Sequence, residues 1–322
     1  RGILRMKIFI TGQAGMIGFH SAKYYAEKGH AVVGVDNFND YYDVELKRER
    51  ARILREDYGV DTFQLDIQDI HADKHLFDDV DVVLHLAAYA NPRHAMEEPQ
   101  HYIDTNITGT QRLIEALEVK GLNIPIVYAS SSCVMHGQPL PWNEHDKPEN
   151  QNNPYGWSKK VNECQFGHSK IIRSAGLRFF TVYGPYGRPD MALFKFTDNI
   201  VKGKPIDLYN FGDMKRDFTY VEDIVHGISL VIDKVVTDSD RYHEIYNIGY
   251  GQQVQLLDFV DHIEKNLGRT AIRNPCEAHP ADTPATWSDT TKLQKLGYNP
   301  TTPIADGVEK FVTWYKDYYK VN

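Results

Sequence analysis

Short apolar runs alternate with amphipathic stretches through the first half of the chain. That is the pattern of strands buried on both faces and of the helices that cover them. Residues 7–10, 31–35, 62–65, 80–86, 124–129 and 177–181 read as six strands. Between them the 3.6-residue period predicts a helix through Lys28, a charged helix around Lys47 to Arg50, and a long helix from Pro99 to about Lys120. A further helix is predicted from Pro154 to about Ser174. Strands and helices in this order predict an α/β fold with a doubly wound parallel sheet, nearly complete by residue 183.

Beyond that point the pattern changes. A turn-rich crossing at 183–189 leads to a helix near 192–202, strands at 205–209 and 217–220, and helices near 221–235, 256–267 and 303–319. The expected division is a nucleotide-binding domain at 1–183, to which the chain returns near 217–248, and a smaller discontinuous domain within 184–322. The second would lie over the carboxyl ends of the strands, where ligands bind in such folds. Residues 136–154, rich in Pro and Asn, read as a loop, and no internal repeat or low-complexity segment is present.

Composition narrows the function classes. With 322 residues, 42% hydrophobic and 25% charged, the chain has the make-up of a globular enzyme. A formal charge of −8 argues against a nucleic-acid or anionic-membrane surface. No run approaches the roughly 18 apolar residues of a membrane span. Cys133, Cys164 and Cys276 are widely spaced, odd in number and unlike a zinc set, which fits a reducing, cytoplasmic setting. His71 and His75 could pair on a metal, but no third ligand is placed and the segment reads as a solvated helix, so no metal is expected. Met6 reads as a natural start, with residues 1–5 an addition.

Candidate chemistry begins at the first turn, Thr11-Gly12-Gln13-Ala14-Gly15-Met16-Ile17-Gly18. Glycines at this spacing allow a sharp turn and close approach to a pyrophosphate, whose charge meets the unpaired N–H groups at the helix start. The second strand ends in Asp36, a carboxylate able to accept both ribose hydroxyls. Asn37 follows where a 2′-phosphate would call for a cation, so the expected cofactor is NAD rather than NADP. Asp66 and Ile67, at the third strand's end, are placed near adenine. Leu86, Ala87 and Ala88 end the fourth strand and let the dinucleotide lie close, with Asn106 and Ser130 as further contacts.

Tyr155 and Lys159 stand one turn apart on a helix that follows a strand ending in Ser130, Ser131 and Ser132. A free phenol, with a pKa near 10, is too weak a base at neutral pH unless cations favour its ionised form. A nearby Lys159 ammonium and the positive nicotinamide would do so. Tyr155 could then take a proton from a sugar hydroxyl as hydride leaves the same carbon. Ser132 would hold that hydroxyl, and Lys159 would also steady the nicotinamide ribose.

On these residues the chain resembles the extended short-chain dehydrogenase/reductases, and among them the nucleotide-sugar epimerases. It is most like the UDP-glucuronate 4-epimerase group over essentially residues 7–319. The narrower likeness rests on Asp36-Asn37-Phe38-Asn39-Asp40-Tyr41-Tyr42-Asp43, on Phe179-Phe180-Thr181-Val182-Tyr183-Gly184-Pro185, on Gly187-Arg188-Pro189-Asp190-Met191-Ala192-Leu193-Phe194, and on residues 210–220. The resemblance implies a tightly held NAD, a transient 4-keto sugar, a UDP-sugar substrate and a homodimer through helices around 99–120 and 155–174. It assigns Thr181 and Arg188 to the sugar carboxylate, Arg216 to the diphosphate, and Ser131 and Asp282 to the substrate. A guanidinium grips a carboxylate bidentately, and pinning it would restrain a β-keto acid from losing CO₂.

The dehydratases of this family carry an Asp-Glu pair after the catalytic Ser/Thr, and the decarboxylases keep the Glu. Cys133 and Val134 occupy those places here, and neither branch fits. Four departures bear on the substrate: His136 for Tyr, Asn91-Pro92 for Gly-Val, Ala95 for Ser, and His279 where neutral-sugar epimerases often carry Arg. The first three leave open a 4-epimerase of a neutral or N-acetylated UDP-sugar. A protein that only senses NAD(H) is a further alternative, although sensing needs no Ser132/Tyr155/Lys159 set.

Overall fold

The computed structural model describes residues 5–71, 75–119, 123–171, 173–238 and 240–321. Within them β1 (Lys7–Thr11), β2 (Ala31–Asp36), β3 (Asp61–Gln64), β4 (Val82–His85), β5 (Ile126–Ser131), β6 (Arg173–Phe179) and β7 (Tyr242–Ile248) form one sheet. All seven run parallel in the order β7-β6-β5-β4-β1-β2-β3. β1 is central, Ile8 lying opposite Val32 on one side and Val82 on the other. The order reverses between β1 and β4, which opens a crevice at their carboxyl ends.

Strand periodicity explains why both faces are covered. Ile8, Ile10, Val82, Leu84 and Val127 point to one core with α1 (Met16–Glu27) and α2 (Val44–Tyr58), whereas Phe9, Val83, Ile126 and Tyr128 point to the other. That second core is closed by Leu113, Ile114 and Leu117 of α3 (Thr110–Val119) and by Phe166 of α4 (Pro154–His168).

The second lobe packs α5 (Ala192–Val201), α7 (Leu256–Leu267) and α8 (Ile304–Tyr319) around Phe194, Phe259 and Phe311, with Phe218 stacked on Phe259 at 4.2 Å. Pro205–Leu208 pairs with Ile272–Pro275, and Thr181–Tyr183 with Phe218–Tyr220, both in parallel. α6 (Val221–Thr237) then carries the chain back to the sheet. Asp217 is fully buried and fastens three segments: it accepts from Tyr250 N (2.8 Å), Gly251 N (3.1 Å), Ser288 N (3.0 Å) and Ser288 Oγ (2.5 Å).

Several expected elements differ. α4 ends at His168 and not near Ser174, because Ser169 turns extended and its hydroxyl closes on Phe166 O at 3.0 Å. Ser174, Ala175 and Gly176 belong to β6, which runs from 173 to 179 rather than from 177 to 181. Their small side chains gave no apolar signal, and smallness is required: a Cβ on Gly176 would stand 2.6 Å from the Tyr128 ring. β7 was not read as a strand, since an edge position lets it carry His243, Glu244 and Asn247. The helix expected from Pro99 is a short α turn (Pro99–Tyr102), a π segment (Ile103–Gly109) and α3. The π turn leaves carbonyls for side chains of α4, Asn106 O for Asn162 Nδ2 (2.7 Å) and Ile107 O for Gln165 Nε2 (3.1 Å). His71 and His75 lie in turns, not on a helix, and His75 meets Asp78 at 2.8 Å. Residues 1–4, part of the segment read as an addition, and Lys120 lie outside the described residues.

Candidate active site

One cavity of about 520 Å³ runs from the glycine turn along the carboxyl ends of the central strands into the second lobe. Gly12, Gly15, Met16, Ile17, Gly18, Asp36, Asn37, Ile67, Leu86, Ala87, Ala88 and Ser130 line it, as do Ser131, Ser132, Tyr155, Lys159, Thr181, Arg188, Arg216 and Asp282. Two expected residues do not. Asn106 is fully buried, its amide clamped on Tyr89 N (2.9 Å), Tyr89 O (3.0 Å) and Ser158 Oγ (3.0 Å), because the π segment turns it inward. Asp66 stands beside the cavity, bonded to Asn37 Nδ2 (2.8 Å) and capping Gln68 N (2.9 Å).

The glycine end fits a dinucleotide. Gly12 has φ +70°, and a Cβ there would stand 2.8 Å from Ala87 N. Gly15 precedes α1 as its N-cap and offers no side-chain cap, so the first N–H groups of the helix are available to an anion. Asp36 is held by Ala14 N (3.1 Å) and Phe38 N (2.9 Å). Lys47, Asn39, Tyr41 and Tyr42 line the same end and were not singled out from sequence. Lys47 donates to Asn39 O (2.6 Å) and Oδ1 (2.7 Å), and burial pushes its amine down to about 8 against the pull of Asp36. Their signal was present: the Asp36-to-Asp43 run is followed, one turn into α2, by Lys47.

At the other end Asn153 caps α4 through Gly156 N (2.8 Å), which brings Tyr155 under the end of β5. Ser131 is the last residue of that strand, whereas Ser132 opens a short 3₁₀ turn. Ser132, expected to hold the substrate hydroxyl, lines the cavity beside Ser131, and the Ser131 hydroxyl favours the ionised form of the Tyr155 phenol. Burial pushes the phenol well above its ordinary value and the Cys133 thiol adds to this; Ser131 and the Arg188 guanidinium pull it back. Lys159, expected to lower that value, instead donates to Ala129 O at 3.0 Å. Ser130 is likewise engaged, by Glu163 at 2.7 Å.

Burial pushes the Lys159 amine down to about 7. With the folded value below the ordinary 10.5, the unfolded chain binds more protons between the two, so stability rises with pH across that window. In cofactor-free protein, Lys159→Met is therefore expected to be the more stable form at about pH 6.5, by on the order of 4 kcal/mol. The gap should close toward about pH 10. Thermal melts of both proteins at matched pH check this, and a gap independent of pH would refute it.

Arg188 departs from expectation most. Its Nε and Nη2 grip Asp190 at 3.0 and 2.6 Å, so the fork foreseen for a sugar carboxylate is occupied. Burial opposes the Arg188 charge, but Asp190 outweighs it and holds the guanidinium more firmly protonated than usual. Arg93, not singled out from sequence, forms a second such pair with Asp282 at 3.2 and 2.6 Å and lies 3.6 Å over the Tyr209 ring. Arg216 makes no ion pair among the described residues. Its Nη1 donates to Lys215 O (3.0 Å) and Pro284 O (3.1 Å), and burial lowers its pKa. A half-buried cation held by two carbonyls and the Met214 thioether, with no carboxylate on it, is suited to an anionic ligand.

Of the four departures only Asn91-Pro92 reaches the cavity. His136 meets Thr283 Oγ1 (3.2 Å), His279 accepts from Ala281 N (3.1 Å), and Ala95 is buried in packing. Among the described residues no group of three His, Cys, Asp or Glu could hold a metal, the three cysteines are unpaired, and no helix is long and apolar enough to cross a membrane.

A dinucleotide cradle continuous with a Ser-Tyr-Lys set defines a class of enzyme that oxidises and reduces a bound hydroxyl. Residues 8–249 match the NAD dependent epimerase/dehydratase family, and the chain belongs to it. It is 41% identical to protein CapI of Staphylococcus aureus over 98% of this chain and 100% of that one. It is 38% identical to UDP-glucuronate 4-epimerase 1 of Arabidopsis thaliana, over 98% of this chain and 78% of the plant protein. Among solved structures, UDP-glucuronic acid 4-epimerase from Bacillus cereus in complex with UDP-glucuronic acid and NAD superposes with a TM-score of 0.89 at 32% identity, covering 98% and 100% of the two chains.

Proposed function

We propose that the protein interconverts UDP-glucuronate and UDP-galacturonate by inverting C4 of the sugar. The observation that carries the reading is the meeting of Tyr155, Ser131 and Arg188 in one cavity with the glycine cradle. Bound NAD would supply the acceptor for a hydride from C4 and the source of the hydride returned to the opposite face. The phenolate of Tyr155 takes the C4 hydroxyl proton as the carbonyl forms and gives it back after the sugar has turned. Ser131, with Ser132 beside it, steadies that oxygen. Lys159 holds the nicotinamide ribose, and Asp36 the adenosine ribose. Arg216 is assigned to the diphosphate, Asp282 to the substrate, and Thr181 and Arg188 to the carboxylate. Residues 184–322 contribute Arg188, Arg216 and Asp282 to the substrate side. A homodimer through the segments around 99–120 and 155–174 rests on the family resemblance, and a cytoplasmic setting on the cysteine usage. The occupied fork of Arg188 favours a second reading, a 4-epimerase of a neutral or N-acetylated UDP-sugar.

The test is a panel of UDP-glucuronate, UDP-glucose and UDP-N-acetylglucosamine with purified protein and no added NAD, the products resolved by chromatography. Formation of UDP-galacturonate alone is the expected result and would also show that cofactor copurifies. Turnover of a neutral sugar alone would transfer the assignment to the second reading.

A further inference from the structure

Asn91 is the one substrate-side departure that reaches the cavity, and the structure gives it a partner. Its Oδ1 caps the helix Pro92–Glu97 through Arg93 N (3.0 Å) and His94 N (3.3 Å), and its carbonyl accepts from Tyr102 OH (2.8 Å). That leaves its amide Nδ2 to donate to Asp190 Oδ2 at 3.0 Å. Tyr41 OH donates to the same oxygen at 3.0 Å. With both nitrogens of the Arg188 fork, Asp190 accepts four hydrogen bonds. The pair is four-fifths buried in the cavity wall, and Nη1 of Arg188 bonds to no described residue. A substrate therefore meets a neutral ion pair and one free donor, not an open cation.

We infer that Asp190 is a specificity-determining residue, an internal carboxylate that competes with the carboxylate of an acidic sugar for the Arg188 guanidinium. The competition is electrostatic. Two carboxylates beside one guanidinium repel each other, so an acidic sugar binds against Asp190 while a neutral sugar does not feel it. Asn91 and Tyr41 strengthen the competitor by holding it in the fork. The inference rests on the carboxylate reading of the Arg188 end of the site.

The test compares KM and kcat for UDP-glucuronate, and the inhibition constant of UDP-glucose as its competitor, in wild type, Asp190→Asn and Asn91→Ser. Asp190→Asn keeps the shape and one acceptor but removes the charge. It is expected to lower KM for UDP-glucuronate about tenfold with little change in kcat, while the inhibition constant of UDP-glucose stays within about twofold. Asn91→Ser can still cap its helix but loses the amide donor, and should shift KM the same way by about threefold. It carries the test alone if Asp190→Asn does not fold. Equal shifts for both sugars, or a rise in KM for UDP-glucuronate, would overturn the inference. If wild type turns over only UDP-glucose, the uronate reading fails by itself. The inhibition constant of UDP-glucuronate against UDP-glucose turnover then replaces its KM, with the same expected fall.

Discussion

Tyr155→Phe is expected to lower kcat for epimerisation by about 10³-fold while fold and NAD content stay those of wild type. The ring itself is not at issue, because Phe keeps the edge-on packing against Tyr102, 6.2 Å between ring centres. What disappears is the phenolic hydroxyl proposed to take and return the C4 proton. Ser131 cannot replace it, since a hydroxyl of far higher pKa gives no base at neutral pH. Burial already holds the phenol above its ordinary value, and Lys159 bonds to Ala129 O. Activation in the cofactor-free chain thus falls to Ser131 and Arg188, and the positive nicotinamide must add the rest. The measurement is turnover with NAD content determined on the same sample. A variant keeping more than about a tenth of wild-type kcat would remove Tyr155 from the mechanism.

The second large effect is expected at Gly18. A Cβ there would stand 2.3 Å from Gly12 O and 2.8 Å from Gln13 Cα, both backbone atoms of the glycine turn. Neither can swing aside as a side chain would, so α1 must move away from the turn that carries the phosphate-facing N–H groups. Gly18→Ala should lose copurifying NAD and about 3 kcal/mol of stability. Gly15→Ala should do much less, because its Cβ would meet Gly12 O at 3.1 Å. NAD released by denaturation and thermal melts measure both effects. A Gly18→Ala protein that kept its full NAD would contradict the close packing of helix and turn.

Much of this was legible along the chain because it is encoded within a few residues. The glycine turn, the strand endings at Asp36 and Ala87, and the spacing of Tyr155 and Lys159 depend on local backbone geometry and helical period. Helices with a clear apolar stripe, such as α7 and α8, were read nearly to the residue. Small residues hid β6, and polar ones hid the edge strand β7.

The sequence by itself determined the fold class, the cofactor cradle and the catalytic helix. Only the tertiary structure decided the partners of the charges and hydroxyls. Arg93 finds Asp282 across 189 residues, and Asn91 finds Asp190 across 99. Ser131 and Ser132 are parted because the strand ends between them, one closing β5 and the other opening a 3₁₀ turn. Asn106 leaves the cavity because a π turn rotates it inward. The reason is physical: backbone preference acts over one or two turns, whereas a buried polar group takes whichever distant partner the packed elements bring within about 3 Å.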